Sequence, residues 1–293
     1  LFRSPGWQGD DLADIAVSLH ASCTRYRSQA AWTAACSAMP VANAAGPVWR
    51  QFLERQFQPW RIATTTGEVS GLITGYYEPL LRGSRRREGL FQVPLYGPPD
   101  DLLTIDLSSI NPDLRNLRLR GRLEGRRVVP YFSRSEIERG VAPVAGKEIV
   151  WVDDAVEAFF LQVQGSGRIR LPGGELLRLG YADQNGHPYV SIGRVLIDQG
   201  ELTVGEATLQ GIQAWARSHP DRLSDILVKN PSYVFFRELA VKDPAAGPPG
   251  AMGVPLVPMR SVAVDPRFIP LGAPLYLATT WPNRDQPLER LVF

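Results

Sequence analysis

Lysine is nearly missing from this sequence: Lys147, Lys229 and Lys242 are the only three among 32 basic residues. Set against 30 acidic residues, the formal net charge is only +2. A balance that close to zero gives no argument for nucleic acid or an anionic membrane as partner. The preference for arginine is what a GC-rich genome produces and names no ligand. Long hydrophobic runs are also missing, and no stretch approaches the roughly 18 apolar residues that a membrane span needs. His20, His187 and His219 are dispersed, and with two cysteines they form no recognisable ligand spacing, so no metal site is expected. No secretory leader is visible, and the chain opens at Leu1 without a methionine, so a targeting segment is expected to have been removed or left out. Leu291-Val292-Phe293 reads as a strand cut in mid-run. The two cysteines, Cys23 and Cys36, flank a helical stretch. They are either a disulfide in an oxidising compartment or two buried thiols.

What is plentiful is proline (25) and glycine (27), scattered as in a protein of many short strands joined by tight turns. Residues 1–57 nevertheless read as helical. Asp10 or Asp11 can cap a helix that places Leu12, Ile15, Ala16 and Leu19 on one face. Ser28 opens a second helix through Trp32, and Pro47 stands in the first turn of a third, before Val48, Phe52 and Phe57. From Trp60 the period changes. Ile62–Thr64 and Val69–Tyr77 predict a hairpin around Gly67; Leu117–Val129 predict another around Glu124-Gly125, and Ile169–Leu179 a third around Pro172-Gly173-Gly174. Ser133 with Glu136 and Thr203 with Glu206 have capping-box spacing. The second leads into the stripe Leu209, Ile212, Trp215 and Ala216, which reads as core. The segment Asp243–Gly253 predicts an exposed loop, and strands resume at Arg260–Asp265, at Pro274–Thr279 and in the final run. The class is mainly β with peripheral helices.

Three clusters could carry chemistry. Thr74-Gly75-Tyr76-Tyr77-Glu78-Pro79 offers two rings that can stack on sugar faces and a carboxylate, Glu78, that can bind hydroxyls; a plain strand end explains the same residues. In Phe159–Gly167, a strand would project Gln162 and Gln164 to one side, while Gly165-Ser166-Gly167 would let backbone approach a ligand. Such amides match sugar hydroxyls and acetamido groups. A nucleophilic role for Ser166 does not fit, because the Gly-x-Ser-x-Gly spacing and a nearby histidine are missing. Asp183-Gln184-Asn185-Gly186-His187 reads as a turn rather than an Asp–His pair, and Asn230 before Pro231 could reach a ligand. In Ser261–Gly272, Asp265 stands at a strand terminus fixed by Pro266, where it could tune a neighbouring acid or merely start a turn.

Taken together and in this order, Thr74–Pro79, Phe159–Gly167, Asn230–Phe236 and Val262–Gly272 resemble the membrane-bound lytic murein transglycosylase A family, over nearly the whole chain from about Trp7. The resemblance implies a double-psi β-barrel domain interrupted by a second β-rich domain, with a groove between them. Residues 1–78 would hold the N-terminal helices and first part of the barrel, 79–229 the insert, and 230–293 the barrel's three-aspartate part. It implies a polysaccharide lyase-type enzyme that cleaves peptidoglycan glycan strands to 1,6-anhydro products, without cofactor, for cell-wall turnover. Substrate contacts would come from Tyr76, Tyr77, Glu78, Gln162, Gln164, Ser166, Gly167 and Asn230, with Asp265 as a supporting catalytic carboxylate. The family's principal acid would follow a strand such as Leu291–Phe293, beyond the last residue given. The same resemblance implies a periplasmic monomer associated with the outer membrane, with any lipid anchor outside this chain, and it favours the Cys23–Cys36 bridge. A non-catalytic glycan-binding module and a glycoside hydrolase, which would need two opposed carboxylates, are the alternatives.

Overall fold

The computed structural model describes residues 1–75, 77–111, 114, 119–240, 246–281 and 284–293. The chain opens with four helices, α1 (Pro5–Gly9), α2 (Ala16–Tyr26), α3 (Ala30–Ser37) and α4 (Gly46–Gln56). Asp11 caps a single 3-10 turn, Leu12–Asp14, through the Ala13 N–H at 3.0 Å, and α2 starts one turn later than the aspartates suggest. The stripe Leu12, Ile15, Ala16 and Leu19 is buried, packed with Trp7, Trp49, Phe52, Leu53, Leu291 and Phe293. Of the two readings of the cysteines, the disulfide holds: Cys23 and Cys36 are bonded and tie α2 to α3. Closing a loop of this size stabilises by about 3 kcal/mol, mainly by restricting the unfolded chain. Replacing both cysteines with serine should therefore lower the unfolding free energy from urea titration by about that amount, and an unchanged value would show that α2 and α3 dock without the link.

The hairpin expected at Ile62–Tyr77 does not form. Its turn does, with Thr64 N–H donating to Glu68 O at 2.8 Å and Gly67 N–H to Thr64 O at 2.9 Å. The flanks stay outside every ladder among the described residues and are exposed, Trp60 by 83% and Leu72 by 93%. Alternation marks a strand only where a neighbour supplies hydrogen bonds.

The middle of the chain contains β1 (Leu80–Ser84), β2 (Val93–Tyr96), β3 (Leu103–Ile105), β4 (Leu119–Glu124), β5 (Arg127–Pro130), α5 (Arg134–Glu138), β6 (Glu148–Val152), α6 (Ala155–Gln164), β7 (Ser166–Arg170), β8 (Leu176–Gln184), α7 (Ile192–Asp198), α8 (Leu209–Ser218), α9 (Pro220–Leu227) and β9 (Val234–Leu239). A six-stranded sheet runs β2-β6-β1-β7-β8-β9, and β3-β4-β5 form a separate antiparallel sheet. Only β1 and β7 pair in parallel within the larger sheet. Both hairpins read from turn residues here are present, β4–β5 and β7–β8. One sheet face buries Leu81, Ile169, Leu177, Leu179 and Phe236 against Ala158 and Leu161 of α6. The Ser133–Glu136 capping box closes at the head of α5. The Thr203–Glu206 pair is also bonded, at 2.7 Å, but shapes only a turn; α8 is capped by Thr208, which accepts from Gly211 N–H at 3.1 Å.

The chain divides into two compact units, Tyr76–Pro244 and the discontinuous Leu1–Gly75 with Ala245–Phe293. The boundary expected at 229/230 thus moves to 244/245. The reason is β9, which pairs with β8 from Gln184↔Val234 to Arg178↔Leu239 and so belongs to the insert. Within the discontinuous unit, β10 (Leu275–Thr280) and β11 (Pro287–Val292) form one antiparallel ladder. Of the barrel that the resemblance implies, this ladder is what the described residues form as paired strands. Among the described residues, the strand expected at Arg260–Asp265 meets another strand end at its start, through Phe293 N–H to Arg260 O and Val262 N–H to Phe293 O, both 2.8 Å. Among the described residues no helix is long and apolar enough to cross a membrane.

Candidate functional site

Gln162 and Gln164, before Gly165, lie on a helix and not, as expected, on a strand. Asp154 accepts from Val156 N–H at 2.8 Å and Glu157 N–H at 2.9 Å, which starts α6; Gly165, at φ +77°, ends it in the left-handed region. Gln162 and Gln164 therefore point about 200° apart instead of to one side. The alternation of Phe160, Gln162 and Gln164 with apolar neighbours imitated a strand. The Asp154-x-x-Glu157 spacing and the closing glycine were the signals that opposed it.

Two of the expected ligand contacts are occupied inside the fold. Gln162 is buried, and its Oε1 accepts from Arg134 Nη2 at 2.6 Å and from Val234 N–H at 3.4 Å. Asn230 is buried too, with Oδ1 accepting from Val190 N–H at 3.0 Å and Ser232 N–H at 3.2 Å. The oxygens of both amides hold backbone and neighbours in place. Arg134 organises this region, donating also to Asn230 O at 3.1 Å, Ser232 O at 2.8 Å and Glu138 at 3.2 Å.

The Gly-Tyr-Tyr-Glu-Pro cluster divides. Tyr76 lies outside the described residues. Tyr77 is half exposed, with its hydroxyl pushed above the usual tyrosine range by burial and then by the Glu157 charge. Glu78 is not open to hydroxyls, as expected, but held between Arg168 Nε and Arg178 Nε, each at 3.1 Å. Those arginines are directly opposed across the β7–β8 hairpin. They escaped sequence reading, although the turn at Pro172–Gly174 pairs positions 168 and 178 by simple symmetry. Ser166 opens β7, half-buried, opposite Gly180. Gly167 packs closely, since a Cβ there would stand 2.3 Å from Leu161 Cδ1 and 3.0 Å from Pro79 O.

Asp265 begins a turn, its carbonyl accepting from Phe268 and Ile269 N–H at 3.0 Å. Its carboxylate binds Arg267 through Nε at 3.0 Å and backbone N–H at 2.9 Å, and Arg267 holds it below the ordinary aspartate range. Asp183 and His187 do not pair with each other: Asp183 pairs with Arg120 at 2.7 Å, and His187 Nε2 lies 2.7 Å from Tyr131 O. Among the described residues no group of three or more His, Cys, Asp or Glu converges to hold a metal.

The accessible chemistry lies beside Tyr77, where Glu157 and Phe160 of α6 face Leu209 and Gln213 of α8 across a small cavity. Glu157 is half-buried, and desolvation, then Asp154 and Asp153, push its carboxyl above the ordinary 4.5. A raised acid favours the folded state below 4.5 and loses that contribution as pH rises through the folded value. Glu157→Gln, which cannot ionise, should thus raise Tm relative to the parent at pH 7, with the gap closing by pH 4. A gap independent of pH would show that the charge is not what is penalised.

The family model described as the MltA specific insert domain matches residues 72–237. Membrane-bound lytic murein transglycosylase A of Escherichia coli K12 is 34% identical over 226 residues, covering 75% of this chain and 53% of the relative. This chain thus spans about half the length of the curated relatives it matches. The solved lytic transglycosylase LtgG of Burkholderia pseudomallei is 46% identical, with a TM-score of 0.68 over 99% of this chain and 80% of that one. The structure of E. coli MltA with bound chitohexaose is 27% identical, with a TM-score of 0.71 over 97% of this chain and 79% of that one. The insert match alone takes in more than half of the sequence, from just before Tyr77 to the middle of β9, and the chain belongs to the membrane-bound lytic murein transglycosylase A family.

Proposed function

We propose that this protein binds peptidoglycan glycan strands and takes part in their lytic, non-hydrolytic cleavage. The observation that carries the reading is the insert match over residues 72–237, which contains Tyr77, Glu157 and Ser166. Chitohexaose, held by a relative of the same fold, is a β-linked polymer of the same amino sugar that alternates in murein.

The chemistry requires one carboxylic acid. A protonated carboxyl donates to the oxygen joining N-acetylmuramic acid to N-acetylglucosamine, and an oxocarbenium-like centre develops at C1. The resulting carboxylate takes the proton from the muramoyl C6 hydroxyl, whose oxygen closes on C1 to give the 1,6-anhydro sugar. Because the nucleophile is part of the substrate, proximity replaces an activated water. Asp265, kept ionised by Arg267, suits an accepting and supporting role, and the donor is then a different, protonated carboxyl. Tyr77 would stack on a pyranose face, while Gln164 and Ser166, both half-buried at the α6–β7 junction, would meet sugar hydroxyls. An envelope location is supported by the membrane-bound relatives, and the Cys23–Cys36 bridge agrees with an oxidising periplasm.

Digestion of purified peptidoglycan by a form of the protein as long as the relatives it matches, read by product mass, tests the reading. Muropeptides with anhydro ends, lighter by one water than hydrolysed ones, are expected. Reducing ends would make the protein a hydrolase, and binding without any cleavage would make it a glycan-binding module.

A further inference from the structure

The cavity beside Tyr77 has a volume of about 80 Å³. That is far below the roughly 300 Å³ at which pockets begin to enclose a whole drug-sized ligand, so it admits a substituent and not a sugar ring. Its floor is apolar: Leu81 is almost fully buried, and Phe160 and Leu209 are partly buried side chains packed on their own helices' core. Two polar groups enter from the walls. Glu157 and Phe160 stand one turn apart on α6, and Gln213 stands one turn after Leu209 on α8, so each helix supplies one apolar and one hydrogen-bonding side chain. Tyr77, half exposed, stands at the mouth.

This combination selects among substituents. A phosphate or carboxylate would face the Glu157 charge across an apolar floor. An ammonium would find one carboxylate but would be desolvated by Leu81, Phe160 and Leu209. A neutral group with a methyl at one end and an N–H and C=O at the other satisfies all three features. Gln213 can donate to the carbonyl, and Glu157 can accept from the N–H. We propose that this cavity is a subsite for the acetamido group of an N-acetylated hexosamine, with the sugar ring lying on Tyr77. The inference rests on the glycan-binding reading above and assigns it a selectivity: an acylated amine at C2, in preference to a hydroxyl or a free amine.

The probes are tetra-N-acetylchitotetraose, its fully de-N-acetylated counterpart and cellotetraose, which share one β-1,4 backbone and differ at C2. Calorimetric titration of the protein is expected to give at least about tenfold tighter binding of the acetylated tetramer than of the other two, the factor that about 1.4 kcal/mol represents. Gln213→Leu removes the donor from a helix face that is not fully buried, and Leu209→Trp fills the cavity. Both should bring the acetylated tetramer down to the level of cellotetraose and leave cellotetraose unchanged, with the circular dichroism of the parent. If the parent prefers the acetylated sugar and both variants keep that preference, this cavity is not the subsite, while the glycan reading stands. If the parent binds none of the three, the glycan reading fails and the subsite with it.

Discussion

Arg260→Met is expected to destabilise the protein by about 3–5 kcal/mol, the usual cost of removing one partner from a buried ion pair. Arg260 is fully buried. Its Nη1 and Nη2 meet the two carboxylate oxygens of Asp10 at 2.9 Å, its Nε meets Asp14 at 2.7 Å, and Nη1 also donates to Leu291 O at 2.8 Å. Asp10, itself buried, accepts from Leu291 N–H at 2.8 Å. Without the guanidinium, the buried Asp10 carboxylate loses its paired cation and keeps the Leu291 N–H. Hydrogen exchange is the measurement of choice, because the loss should appear in the amides of α2, α4 and β11 and spare those of β7 and β8. The double change Asp10→Leu with Arg260→Met should recover part of the loss, since an apolar pair of similar size often replaces a buried ion pair at little cost. A single variant as stable as its parent would show that Asp10 reaches water by a small rearrangement.

Arg134→Met should cost a similar amount in the other unit. The side chain is 2% exposed and supports Gln162, Asn230 O, Ser232 O and Glu138 at once, with its guanidinium 4.7 Å from the Phe159 ring centre and 5.0 Å from that of Tyr233. Burial already pushes Glu138 above its ordinary value, and the arginine is what opposes that rise. Arg134→Lys should restore only part of the stability, because one ammonium cannot reproduce the planar fork that serves several acceptors. Here exchange should quicken in α6, β8 and β9. Full recovery by lysine would reduce the residue's role to charge alone.

How much of this was legible in the sequence depended on where the deciding partner lay. The stripe Leu12, Ile15, Ala16, Leu19, the Ser133–Glu136 box and the β7–β8 hairpin were readable because their causes lie within a few residues. The segment around Ile62 and Val69 was misread because a strand needs a partner that local pattern cannot supply. Phe159–Gln164 was misread for another reason: its apolar spacing suits both a strand and a helix buried on one side, and only Asp154 and Gly165 decide. At the site, Tyr77 could be picked out as an unusual exposed aromatic. The inward use of Glu78, Gln162 and Asn230 could not, since Arg168, Arg178, Arg134 and Val190 reach them from distant positions. Gln213 and Glu157 were invisible for the same reason, being ordinary polar residues until two helices bring them together.

The interruption of one unit by the other governs how the molecule can assemble. Asp10 waits for Leu291, 281 positions away, whereas the Cys23–Cys36 link needs only its immediate surroundings. Each doubling of a flexible loop adds about 0.6 kcal/mol to the entropy of closing it. Once the continuous middle portion has collapsed and its own ladder has drawn β1 and β9 into one sheet, the effective tether joining the two halves of the outer unit is far shorter. Closing the two halves of the discontinuous unit therefore costs less entropy after the middle portion has folded than before it.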